Sequence, residues 1–165
     1  MPTFIVPRPS SIGHFVVGAG IVAFVQLLSL APISLGFLGS PWPFAIIWAI
    51  SGWSVLGPDW RIGGIIFFLG LLMDIICGTN LGTNALMYLI TYGGVLFISK
   101  SFGFLPRGEW MEAAIIVGLF VFGALITGVL TGEIPNLIRM LAPAIFSIAL
   151  YPIIARFFLV TREVV

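Results

Sequence analysis

Long apolar segments alternate with short polar breaks along the whole chain, and this pattern predicts an all-α membrane protein with six transmembrane helices. At 1.5 Å per residue each segment is about 24 Å or longer, close to the thickness of a bilayer's hydrocarbon core. The last segment contains Pro143 and Pro152, which predict kinks. The six predicted helices are Ile12–Ala31, Trp42–Gly57, Ile62–Cys77, Thr83–Ser99, Ala113–Thr131 and Leu137–Val160.

The breaks between these segments differ in character. Pro32–Pro43 is rich in glycine and proline but apolar, so we expect it to lie in the outer interface. Asp59–Arg61 is a short polar break, and Gly78–Thr83 is a tight uncharged turn. Lys100–Glu112 is predicted to be the largest solvated loop, and residues 132–136 close the fifth helix.

Composition agrees with this pattern. Hydrophobic residues make up 60% of the chain, charged residues only 8%, and the mean hydropathy is +1.21, whereas a soluble domain has about 25% charged residues. We therefore expect residues 1–165 to form a single integral membrane domain in contact with membrane lipid. The net charge of +1 gives no support for binding nucleic acid or for a polybasic lipid patch.

Lysine and arginine are distributed unevenly over alternate connections, and cytoplasmic connections keep positive charge. This predicts that both termini are cytoplasmic and that the Gly78–Thr83 turn is outside. The first apolar run resembles a signal peptide, but Pro32 follows its candidate cleavage site, so we interpret it as an uncleaved helix. One side carries Arg8, Arg61, Lys100, Arg107, Arg156 and Arg162, and the other carries Arg139.

No catalytic or cofactor-binding motif is present in the sequence. It has no phosphate-binding glycine loop, no H-E-x-x-H and no G-x-S-x-G. The single cysteine, Cys77, and the single histidine, His14, exclude a disulfide and a His/Cys metal cluster. We therefore expect no enzyme activity, no catalytic residue, no cofactor and no metal site.

Asp74 is the one carboxylate inside an apolar segment, and it lies three residues before the outer end of the third helix. Placing Asp at a helix centre in a membrane costs about 2.5–3.5 kcal/mol on insertion scales, so such a group normally has a partner. Arg139 is predicted at a similar depth, and we predict an ion pair between the two. The alternative is that Asp74 accepts from the amides of Asn80 or Asn84, or from N–H groups of the turn.

Small residues recur four positions apart on two of the helices, which permits close approach of another helix. We predict that these faces form helix–helix interfaces, either with a membrane partner or within the monomer. They consist of Ala19 and Ala23 in the first helix, and of Ala124, Gly128 and Gly132 in the fifth.

Residues Pro41-Trp42-Pro43, Trp48 and Pro58, followed by the stretch GLLMDIICGTNLGTNAL, resemble the rod shape-determining MreD family. That family has a G-L-x-x-D…G…L-G-x-x-A-L signature in this position. The similarity covers about a third of the chain. The matching positions are Gly70, Leu71, Asp74, Gly78, Leu81, Gly82, Ala85 and Leu86.

The resemblance implies a non-catalytic scaffold of the elongasome, the machinery of peptidoglycan side-wall synthesis in the bacterial inner membrane. The implied partners are an MreC-like bitopic membrane protein, RodA and a class-B penicillin-binding transpeptidase, with MreB reached indirectly.

The alternative is the substrate-binding subunit of an energy-coupling-factor vitamin transporter, which also has six helices. In that hypothesis Ala19 and Ala23 form a docking face on the first helix, and polar residues converge on an outer pocket. The available polar residues are sparse: Asn80, Thr83, Asn84, Glu133, Asn136 and Arg139.

Overall fold

The computed structural model describes residues 12–29, 31, 42–54, 58–102, 109–132 and 135–158. The described part is helical and contains no strand, which confirms the all-α prediction. Most of the Pro32–Pro43 segment, the side chains of His14 and Arg156, and residues Arg8, Arg107 and Glu133 lie outside the description. The helices are α1 (Ile12–Leu28), α2 (Ala45–Ser54), α3 (Trp60–Cys77), α4 (Thr83–Phe102), α5 (Glu109–Thr131) and α6 (Leu137–Phe158).

The predicted Lys100–Glu112 loop is too long. α4 continues to Phe102 and α5 begins at Glu109, so Lys100 and Glu112 are both helical. Lysine and glutamate are good helix formers, and neither breaks a helix at its end. The positions of the charged residues therefore do not coincide with the ends of α4 and α5.

Three of the described helices are long and apolar enough to cross a membrane: α3, α5 from Trp110, and α6 as far as Ile154. The apolar helices in α1 and α2 are shorter, so the expectation of six spanning helices is confirmed in part. Large apolar side chains are also exposed on the surface, among them Phe68, Ile75, Phe97, Val129 and Leu130. Large apolar side chains exposed on several helices are expected where a protein contacts lipid, so these observations support a membrane protein.

The short helix α2 is the centre of the bundle. All ten of its residues are buried, and it packs against each of the other five helices. Trp48 and Trp53 are among the largest fully buried side chains, which confirms that they pack in the interior. Every other helix has exposed side chains on one side, whereas α2 is buried on all sides.

Contacts at the helix ends show that the two ends of the bundle are distinct. Gln26, near the end of α1, contacts Tyr88, near the start of α4. Ser51, near the end of α2, contacts Glu112, near the start of α5. We call the end where α3 stops and α4 starts the turn end, and the end that holds Ser51 and Glu112 the opposite end.

Ser147 of α6 joins that helix to α2 close to Pro143. Its hydroxyl donates to the Pro143 carbonyl at 2.6 Å and accepts from the backbone N–H of Phe44 at 2.7 Å. The indole N–H of Trp48 donates to the Ser147 carbonyl at 3.1 Å. The Pro143 carbonyl is thus satisfied within α6, whereas the Phe44 N–H and the Ser147 carbonyl are satisfied by contacts between the two helices.

Candidate functional site: the turn between α3 and α4

α3 ends at a glycine that adopts a left-handed conformation. Gly78 has φ 65° and ψ 26°, and its backbone N–H donates to the carbonyl of Asp74. The N–H of Thr79 donates to the same carbonyl at 3.1 Å. A residue with a Cβ atom is strained in this conformation, so glycine is the residue that lets α3 stop here.

The carboxylate of Asp74 is fully buried and accepts four hydrogen bonds from the turn that follows it. Oδ1 accepts from the Thr79 hydroxyl at 2.8 Å and from the backbone and side-chain nitrogens of Asn84, each at 2.9 Å. Oδ2 accepts from the Gly82 N–H at 2.8 Å. All four donors lie within ten residues of Asp74, so a contiguous stretch of chain satisfies the charge.

Two of these donors, the N–H groups of Gly82 and Asn84, lie at the start of α4. The first N–H groups of a helix have no partner within the helix and form the positive end of its dipole. The Asp74 carboxylate supplies both the acceptor and the negative charge that this end favours. The Asp74 carbonyl therefore accepts the hydrogen bonds that end α3, and its carboxylate accepts those that cap the start of α4.

Gly70 sets how closely α3 and α4 approach one another. A Cβ atom on Gly70 would lie 2.3 Å from the Cα atom of Ala85 and 2.6 Å from its backbone nitrogen. These distances are far shorter than real carbon contacts, so only glycine allows this approach. Gly82, with φ 97°, needs glycine for its backbone conformation instead.

The predicted ion pair between Asp74 and Arg139 is wrong. In the described part of the chain Asp74 is bonded to the turn, whereas Arg139 is exposed in the first turn of α6 and forms no ion pair with it. Asn136 caps α6 by accepting from the N–H groups of Ile138 and Arg139. The alternative, in which Asp74 accepts from Asn84 and from N–H groups of the turn, is correct. Local donors reach a carboxylate without the need for α6 to lie beside α3.

The other predicted residues fall into three groups. Asn80 is exposed on the turn. Ala19 and Ala23 are half-buried on α1, and Ala124 and Gly128 are buried inside the bundle. Gly132 is exposed, has φ 78° and follows the last residue of α5, so its conformation is that of a residue that ends a helix.

Sequence reasoning missed a second close approach, between α4 and α5. A Cβ atom on Gly123 would lie 3.2 Å from the Met87 carbonyl oxygen and 3.4 Å from the Thr91 hydroxyl. Thr127 donates back to the Gly123 carbonyl at 2.8 Å. The small residue and hydroxyl four positions apart were a usable signal, but similar spacings occur on several helices of this chain.

Two buried polar contacts between distant residues were also missed. Gln26 donates to the Tyr88 hydroxyl at 2.9 Å. Ser51 donates to the Glu112 carboxylate at 2.7 Å and is also hydrogen-bonded to the Tyr151 hydroxyl. No sequence spacing predicts these contacts, because their partners lie on different helices.

This turn is built to hold a conformation. The Asp74 carboxylate is fully buried, and its four hydrogen bonds tie the end of α3 to the start of α4. Cys77 is a free and exposed thiol. Among the described residues no group of three His, Cys, Asp or Glu side chains is placed to hold a metal ion.

Comparison of the chain with protein-family models, with curated proteins and with solved structures finds no match.

Proposed function

We propose that this chain is a non-catalytic scaffold of the bacterial elongasome, of the MreD type, that takes part in maintaining rod cell shape. One observation carries the proposal. The residues behind the resemblance form a single interlocked unit: Gly70 seats α3 on Ala85, Asp74 holds the turn, and Gly78 and Gly82 adopt the conformations that the turn needs. Such a unit fixes the shape of a surface.

The proposed topology has six membrane-crossing helices, both termini in the cytoplasm and the turn end outside the inner membrane. Two observations support it. The described contacts at the ends of α1, α2, α4 and α5 alternate between the two ends of the bundle. In the sequence, six of the seven Lys and Arg residues fall on one set of alternate connections and termini.

The proposed partners are an MreC-like bitopic membrane protein, RodA and a class-B penicillin-binding transpeptidase, with MreB filaments reached indirectly. A rigid turn suits such a role, because a preorganised surface loses little conformational entropy on binding. Leu81, at the tip of the turn, is 74% exposed while the polar groups around it are held by Asp74.

Depletion of the protein in its host tests the function. We expect rods to become round and swollen. In a second experiment, a tagged copy of the protein in detergent is expected to recover an MreC-like protein.

Recovery of this partner is repeated with Gly70→Ala, which is expected to disturb the turn unit, and with Gly64→Ala on the same helix as a matched control. If depletion leaves rods intact and abolishes uptake of a vitamin, the scaffold proposal fails and the transporter hypothesis replaces it.

Labelling with a membrane-impermeant thiol reagent tests the topology. In a Cys77→Ala background, Thr79→Cys and Asn136→Cys are expected to react in intact cells. Ser101→Cys, an exposed site at the end of α4, is expected to react only after permeabilisation. Reaction of Ser101→Cys in intact cells contradicts the orientation.

A further inference from the structure

Gln26 of α1 and Tyr88 of α4 form a polar pair inside an otherwise apolar part of the bundle. The Gln26 side chain is 5% exposed and the Tyr88 side chain 4%. The amide nitrogen of Gln26 donates to the Tyr88 hydroxyl at 2.9 Å. Both groups are neutral, and both lie near the turn end.

Within the described residues, the hydrogen bond between Gln26 and Tyr88 leaves other polar atoms of the two side chains without a partner. In the described part of the chain, Oε1 of Gln26 accepts no hydrogen bond, and the Tyr88 hydroxyl donates none. Turning the amide over does not help, because Tyr88 then donates to Oε1 and the two N–H protons of Gln26 lose their acceptor. In either orientation one end of the Gln26 amide is left without a partner.

An unsatisfied buried polar group is rare, since more than about 90% of such groups have a partner in proteins. In a membrane no bulk water is available as a substitute. The surroundings are aromatic. The ring centroids of Phe120 and Tyr88 are 6.0 Å apart, and those of Phe44 and Phe120 are 4.4 Å apart. These rings offer no strong donor or acceptor, and the described part of the chain supplies no partner for the free end of the Gln26 amide.

We propose that Gln26 and Tyr88 bind a guest hydroxyl group, which donates to Gln26 Oε1 and accepts from the Tyr88 O–H. A hydroxyl is the simplest group that does both, and it also serves the reversed amide by accepting from the N–H groups. Its source is either a water molecule or the hydroxyl of a small neutral organic molecule that packs against the rings of Tyr88 and Phe120. The binding site is independent of the scaffold function.

The decisive variant is the double change Gln26→Met with Tyr88→Phe. Without a guest, the double change removes one neutral hydrogen bond together with its unsatisfied atoms, which leaves stability unchanged or raised. With a guest, it removes the guest's hydrogen bonds and empties its place, and we expect the thermal unfolding midpoint to fall by roughly 4 °C or more. Thr127→Val is the control, because it deletes a buried hydroxyl that bonds only within its own helix.

Native mass spectrometry of the detergent-released protein distinguishes the two sources. A small added mass on the wild type that the double variant lacks identifies an organic guest, whereas a destabilised double variant with no such mass identifies water. If the double variant does not fold, a density map of the wild type decides the question. Density within about 2.6–3.2 Å of both Gln26 and Tyr88 supports the proposal. A double variant as stable as wild type, or an empty map at this site, overturns it.

Discussion

Two carboxylates near opposite ends of the bundle are satisfied in different ways. Asp74 is fully buried, and all its donors come from the next ten residues of the chain. Glu112 is half-buried, and the donor that reaches it is Ser51, 61 residues away on another helix. The first arrangement forms as soon as a short hairpin forms. The second exists only after α2 and α5 have packed together.

The direction of the hydrogen bonds at the opposite end follows from a count of protons. Ser51 has one hydroxyl proton, and it is donated to Glu112. The contact between Ser51 and Tyr151 must therefore use the Tyr151 proton. A chain of hydrogen bonds runs from Tyr151 through Ser51 to the carboxylate and joins α6, α2 and α5.

The largest expected effect is that of Asp74→Ala, which leaves four donors without their acceptor. Each unsatisfied buried donor costs about 1–3 kcal/mol, so we expect a loss of at least about 3 kcal/mol in the free energy of unfolding. Asp74→Asn is the milder variant, because it keeps one acceptor oxygen but turns an N–H group toward a donor of the turn. Unfolding in a denaturing detergent measures both variants.

Asp59→Asn is the matched control, since Asp59 caps α3 by accepting a single hydrogen bond from Arg61. A capping change of this kind costs at most about 1 kcal/mol. If Asp74→Ala proves no more harmful than Asp59→Asn, the turn does not depend on the buried carboxylate, and the contrast with Glu112 disappears.

The second prediction concerns the helix contact beneath the turn. Gly70→Ala places a methyl group against the backbone of Ala85, so α3 and α4 have to separate, and we expect a loss of about 3 kcal/mol. Gly64→Ala on the same helix has nothing within 4 Å of its new Cβ atom and is expected to be neutral or stabilising by up to about 1 kcal/mol. Equal effects of the two changes would show that the approach at Gly70 is not limiting.

The turn end was the more predictable part of the molecule. Gly78 and Gly82 stand out in the sequence through the resemblance, and Asn84 as an alternative donor to Asp74, and the structure gives each a defined role. The alternative partners of Asp74 were also inferred correctly, because donors close in sequence are close in space. The choice of Arg139 failed because similar depth in a membrane says nothing about which helices are neighbours.

The long-range contacts were not predictable for the same reason. The Gln26–Tyr88 and Ser51–Glu112 contacts join helices that are distant in sequence, and no local pattern indicates which helices pack together. Sequence also placed the start of α2 too early: the predicted segment begins at Trp42, whereas the helix begins at Ala45. Packing, rather than hydropathy, decides which apolar segment becomes the core.

The third prediction tests the network at the opposite end. Ser51→Ala removes the link between Tyr151 and Glu112, and we expect a loss of about 1–2 kcal/mol because the hydrogen bonds from Tyr151 to Ser51 and from Ser51 to Glu112 are both lost. Glu112→Gln keeps an oxygen that accepts from Ser51. Because Glu112 is half-exposed and solvent screens its charge, we expect this variant to lose about 1 kcal/mol or less in the free energy of unfolding. A larger effect of Glu112→Gln would mean that its charge, rather than the hydrogen-bond chain, stabilises this end.

The smallest effect on stability is expected for Arg139→Gln. This variant tests whether the hydrogen bonds of the turn satisfy Asp74 without a contribution from α6. Arg139 is exposed, and its backbone N–H, which is bonded to Asn136, does not change with the side chain. If the turn satisfies Asp74 by itself, the effects of Arg139→Gln and Asp74→Asn should add to within about 0.5 kcal/mol in a double-mutant cycle. An ion pair would instead make the double variant clearly less damaged than the sum of the single changes.

Ionic strength gives a second readout, because an exposed charge pair weakens in salt whereas hydrogen bonds inside a buried turn do not. Coupling that disappears at high salt would place Arg139 in the electrostatic field of Asp74 after all, and the turn end would then depend on α6.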